Sequence, residues 1–85
     1  MATVTLHDDL HAEDQGEYAT VALAMAEVER RAGVPWHEAP NRAPCTGWEN
    51  CGRAYVLIET LDGQEVRTPV LKIDSNGLRW LRREV

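Results

Sequence analysis

Apolar and polar positions alternate most clearly over the last third of the chain. There, the apolar runs Ala54-Tyr-Val-Leu-Ile58, Val66 to Ile73 and Leu78 to Leu81 are separated by Asp62-Gly63 and Asn76-Gly77. Asp-Gly and Asn-Gly accept positive φ, which tight hairpin turns require. Residues 53–85 are therefore predicted to form a three-stranded antiparallel meander. In its second turn, a loop of Asp74-Ser75-Asn76-Gly77 sets Ile73 opposite Leu78 and Leu71 opposite Trp80. This gathers four apolar side chains on one face, whereas a loop of Asn76 and Gly77 alone sets Leu71 opposite Arg82. Pro69 has no amide hydrogen for a ladder and is expected at an edge or a bulge.

Upstream, Thr3 to His7 is a short β-prone run, and Asp8 to Gln15 is a polar connector. Asp14 and Glu17 have the spacing of a capping box. Tyr18, Val21, Ala22, Met25, Val28 and Ala32 recur at intervals of three and four, predicting an amphipathic helix from about Gln15 to Ala32. Glu27 and Arg31 are spaced to pair on its outer surface, Gly33 suits the position after its end, and Pro35 stops it. Val34 to Gly52 shows no period and carries Pro35, Pro40, Pro44, Trp36, Trp48 and both cysteines. Connections of this length are usually functional or mobile. The order is strand, helix, long loop, three strands. The expected fold class is α+β, with one amphipathic helix packed on a small antiparallel sheet, in a single domain spanning residues 1–85.

The chain has 85 residues, 44% of them hydrophobic and 27% charged, the balance of a folded domain with a small core. No apolar run reaches membrane-spanning length and no secretory signal opens the chain, so the expected location is the cytoplasm of a bacterial cell. The net charge of −5 is unevenly distributed. Residues 1–29 hold seven acids and no Lys or Arg, while residues 30–85 hold nine bases and seven acids. An acidic face solubilises a small protein; it also suits a basic partner, including one that grips nucleic acid. Phosphates would be repelled by it, so direct nucleic-acid binding by the N-terminal third is not expected.

Chemistry-bearing residues are few. Cys45 and Cys51 are compatible with free thiols, with a disulfide, or with zinc together with His7 and His11; the cysteine spacing is wider than that of structural zinc sites. His37 beside Trp36 is a candidate base for a thiol, yet no nucleophile elbow, phosphate-cradling glycine loop or paired-carboxylate motif is present. A non-enzymatic binding protein without cofactor or metal is the expectation. Its candidate partner-binding residues are Asp8, Asp9, Glu13 and Asp14 in the acidic segment, Trp36 and Trp48 as aromatic anchors, and Arg79, Arg82 and Arg83 near the C-terminus. The alternatives are a small zinc-stabilised module and a nucleic-acid-binding sheet using Trp80, Arg79, Arg82 and Arg83.

At Ile58-Glu-Thr-Leu-Asp-Gly63 and Asn76-Gly-Leu-Arg-Trp80 the chain resembles small phage-encoded anti-CRISPR proteins, in which a helix packs on a curved antiparallel sheet. The likeness covers about a third of the chain and carries over no binding residue by position. It implies a stoichiometric inhibitor that binds a protein subunit of a CRISPR effector and occludes nucleic-acid capture. An exposed edge strand can pair with a second copy, so the chain is expected to be a monomer or a homodimer.

Overall fold

The computed structural model describes residues 3–42 and 52–84. Five strands and one helix follow in the order β1 (Val4–Asp8), β2 (Glu13–Tyr18), α1 (Val21–Ala32), β3 (Arg53–Leu61), β4 (Gln64–Asp74) and β5 (Gly77–Trp80). The strands form one antiparallel sheet in the order β2-β1-β3-β4-β5. The helix covers one face, giving the two-layer α+β architecture expected. Among the described residues no helix is long and apolar enough to cross a membrane.

The meander follows its turn residues. Asp62 and Gly63 take φ of 52° and 78° and close β3 onto β4 in a two-residue loop. In the second hairpin Leu71 faces Trp80 and Ile73 faces Leu78, as the apolar pattern required; the ladder continues to Asp74 and Gly77. Pro69 sits beside a bulge, where the register of β3 against β4 slips between Tyr55 and Val56. Val70 is the extra residue, and its carbonyl accepts from the amides of Leu81 and Arg82. Alternation back from the Asp62-Gly63 turn points the backbone groups of Glu65, Arg67 and Pro69 away from β3, so the donor that proline lacks falls on the open side of β4.

The N-terminal half departs from the expected pattern. Glu13 to Tyr18 is an edge strand, not the first turns of a helix, and the helix begins at Val21 behind Thr20, whose Oγ1 accepts from the amide of Leu23 at 3.1 Å. Asp14 and Glu17 are not a cap. An edge strand needs only one hydrogen-bonded neighbour and one inward row. Here Tyr18 and Gly16 lie opposite Val4 and Leu6. The buried face of the helix is set by Ala24, Val28 and Arg31, flanked by Val21, Met25 and Ala32, while Ala22 is exposed. Glu27 does pair with Arg31, but Arg31 is buried rather than on the outer surface. Gly33 ends the helix at φ −86°, without a left-handed turn.

The core lies between α1 and the inner sheet face, with Val4, Leu6, Tyr55, Leu57, Leu71 and Ile73 from alternate strand positions against Ala24 and Val28. Among the described residues no layer of secondary structure covers the outer face. Val56 lies there at only 4% exposure. On that face the ion pair from Arg67 on β4 to Asp9 beyond β1, at 3.1 Å, spans β3.

Candidate functional site

Strand alternation aims not only apolar side chains inward. On β1, Asp8 follows Val4 and Leu6 on the same face; on β3, Arg53 precedes Tyr55 and Leu57. The two charges meet at one end of the core, Asp8 at 0% and Arg53 at 6% exposure. Asp8 is saturated: Oδ1 accepts from the amides of Leu10 (3.0 Å) and Ala54 (3.1 Å), and Oδ2 from Arg53 Nη1 (2.9 Å) and His11 Nδ1 (2.7 Å). Arg53 also donates to Glu13 Oε1 (2.9 Å), to the Pro40 carbonyl through Nε (2.8 Å) and to the Arg42 carbonyl through Nη2 (2.9 Å). Beside it, Arg31 donates to Glu27 and Gln15, with Nη1 3.3 Å from the Tyr55 hydroxyl. Tyr55 donates to Asn41 Oδ1 (2.8 Å), and Asn41 Nδ2 donates to the carbonyls of Arg31 and Val34. Burial pushes the Tyr55 phenol above its ordinary pKa, against the opposing pull of Arg31. The Arg30 hydrogen bond, opposed by burial and reinforced by Arg31, holds the Glu27 carboxyl down at about 2.

This network is closed. Among the described residues no buried side-chain nitrogen or oxygen lacks a partner. It fastens residues 40–42 of the long connection to the sheet and to the end of α1, and no lone pair of Asp8 remains for a proton transfer. His7 donates to Asp14 across the outer face (2.7 Å), away from His11 on Asp8. Among the described residues no group of three His, Cys, Asp or Glu side chains is placed to hold a metal ion. Cys45 and Cys51, the remaining members of the zinc set, lie outside the described residues.

The acidic third of the sequence is largely neutralised by folding. Among the described residues Asp8, Asp9, Glu13, Glu27 and Glu29 each pair with an arginine from the other two thirds, and Asp14 pairs with His7. Asp8, expected at a partner surface, has no surface to offer. Asp9, Glu13 and Asp14 keep solvent access alongside their internal partners. Trp48 lies outside the described residues.

The β4–β5 hairpin carries two cations that no ion pair offsets among the described residues. Lys72 and Arg79 are directly opposite each other on the outer face, both exposed, and among the described residues neither makes an ion pair. Like charges facing across a ladder are unfavourable. The hairpin's other side borders an open apolar cleft of about 330 Å³ walled by Val34, Pro35, Trp36, Ile73 and Leu78. Asp74, Gly77 and Leu78 line both the cleft and the notch holding Lys72 and Arg79. Trp36, half-buried against the core, and Arg79, two of the residues singled out from sequence, thus border neighbouring recesses on the two sides of one hairpin tip. The fold adds Lys72 and Leu78, which sequence reasoning missed; the paired register placing Lys72 against Arg79 was the signal available.

Arg82 and Arg83 are elsewhere. Arg83 pairs with Glu29 (3.0 Å) and lies 4.9 Å above the Trp80 ring, while Arg82 donates to the Glu84 carbonyl. Trp80 faces Leu71 on the inner side and Arg79 points outward, so the sheet does not present them together for stacking on a nucleic-acid strand. Comparison of the chain with protein-family models, curated proteins and solved structures finds no match.

Proposed function

We propose that this chain is a non-catalytic binding protein that docks its β4–β5 hairpin on an acidic protein surface of a larger nucleic-acid-handling assembly and occludes it. The observation that carries this reading is the unneutralised Lys72–Arg79 pair bordering the apolar cleft of Trp36 and Leu78. Two opposed cations raise the energy of the free protein, and a carboxylate-rich partner relieves them. An aromatic-lined apolar recess beside them supplies the anchor that interfaces concentrate at their centres. The polar groups gathered in the interior serve the fold, since their hydrogen-bonding capacity is spent on one another and on backbone.

The resemblance to anti-CRISPR proteins gives the assembly its class: a CRISPR effector in a bacterial cytoplasm, with the chain originating from a phage or mobile element. Expression in bacteria carrying active CRISPR immunity against a phage tests it. The reading predicts restored plaquing, lost with Lys72→Glu/Arg79→Glu. Full immunity in the presence of folded, abundant protein refutes the inhibitor reading.

A further inference from the structure

We infer that β4 pairs with β4 of a second copy of this chain, in one register, making a continuous sheet across a two-fold axis at Val66. Among the described residues β5 pairs with β4 only over Leu71–Asp74, and no strand lies against the outer edge of Gln64 to Pro69. Counting from the two-residue Asp62-Gly63 turn, the outward backbone groups on that edge belong to Glu65, Arg67 and Pro69. An antiparallel partner must join outward-facing residues, which permits a few registers. Centring the axis on Glu65 opposes two glutamates, and centring it on Arg67 opposes two arginines. Centring it on Val66 sets Glu65 against the second copy's Arg67, and Arg67 against its Glu65, each in a hydrogen-bonded pair, so that the ion pair Arg67 makes with Glu65 inside one chain (2.8 Å) is shared across the axis while its contact with Asp9 is kept. Thr68 then faces Gln64, and the two Val66 side chains, 39% exposed in the single chain, meet on the axis.

The surroundings accept this register. A notch lined by Val66, Arg67, Thr68, Pro69, Leu81 and Arg82 opens where β5 leaves β4. The second copy's Asp62-Gly63 turn enters beside Pro69, bringing its Asp62 carboxylate towards Arg82. Pro69, without an amide hydrogen, ends the new ladder there. The β2 edge, also without a neighbouring strand among the described residues, is a poorer template: its register against β1 shifts at Leu6/His7, Gly16 sits at φ 148°, and Glu13, Asp14 and Glu17 crowd it with one sign of charge.

An interface of this size falls below ~1,000 Å², so association is weak, with a dissociation constant of about 10⁻⁴ M. Sedimentation velocity over a concentration series tests it. By symmetry each single charge swap, Glu65→Arg or Arg67→Glu, turns two attractive pairs into two repulsive ones and weakens dimerisation about tenfold, and the double swap restores it. Under mild oxidation Val66→Cys gives a disulfide between the two introduced thiols across the axis, identified by mass spectrometry of the proteolysed dimer. A chain that stays monomeric to ~1 mM, a dimer indifferent to both swaps, or a Val66→Cys dimer linked only through Cys45 or Cys51 overturns the inference. None of these outcomes depends on the β4–β5 site.

Discussion

Replacing Arg53 by Met keeps most of the buried stem and removes the guanidinium. The loss strands Asp8 as a carboxylate without its cation and deprives the carbonyls of Pro40 and Arg42 of their donors. Removing one partner of a buried ion pair costs about 3–5 kcal/mol. Asp8 keeps the amides of Leu10 and Ala54 and the His11 ring, which places the expected cost near the lower end, about 3 kcal/mol. A chain of 85 residues has a total stability of about 4–13 kcal/mol, so much of it goes. With a urea slope of about 1 kcal/mol/M, the unfolding midpoint falls by about 3 M. The comparison is Arg83→Met, whose ion pair with Glu29 is largely exposed and contributes about 0–1 kcal/mol. Urea titrations followed by far-ultraviolet circular dichroism and tryptophan fluorescence measure both variants. Adding Asp8→Asn to Arg53→Met recovers part of the loss, because no uncompensated carboxylate remains. Arg53→Met and Arg83→Met unfolding within ~0.5 kcal/mol of each other would refute the claim that this network, rather than charge pairing in general, holds the connection to the sheet.

Tyr55→Phe deprives Asn41 Oδ1 of its donor and lowers stability by about 1–2 kcal/mol in the same titration. Gly52→Ala places a Cβ 1.8 Å from the Ile73 carbonyl oxygen, inside any tolerable contact, so soluble yield and cooperative unfolding are lost. Gly63→Ala, at φ +78° with nothing within 4 Å, meets only backbone strain, about 1 kcal/mol in the melting curve. Glu27, with its carboxyl held at about 2 against an ordinary 4.5, contributes stability fully present above pH 4.5 and lost as the pH falls towards 2. Glu27→Gln is therefore less stable than the parent near neutrality, by ~1 kcal/mol given the exposed Arg30 partner, and the two converge in acid when midpoints are compared across pH.

Part of this architecture was legible because local chemistry and global packing agree. Asp62-Gly63 allows one tight turn, and only one register of β4 against β5 puts Leu71, Ile73, Leu78 and Trp80 together. β2 was hidden because Glu13-Asp-Gln-Gly-Glu-Tyr18 carries one large apolar residue, and its Asp14 and Glu17 imitate a helix cap. The charge asymmetry was visible, but its meaning was not. Asp8 and Arg53 are 45 residues apart, and no period connects them. Their positions two beyond Leu6 and two before Tyr55 marked both as inward-facing; an acid-rich neighbourhood pointed the other way. The proposed binding surface was half legible, in Trp36 and Arg79, because its completion by Lys72 and Leu78 depends on hairpin pairing and on where residues 34–36 return to the sheet.

The most direct measurement is affinity capture from bacterial cells carrying a CRISPR effector, after nuclease treatment, with the parent chain and with Lys72→Glu/Arg79→Glu. The account predicts that the parent retains a stoichiometric protein subunit of the effector and the reversed variant retains none. Equal recovery by both, or recovery that disappears with nuclease, would contradict it.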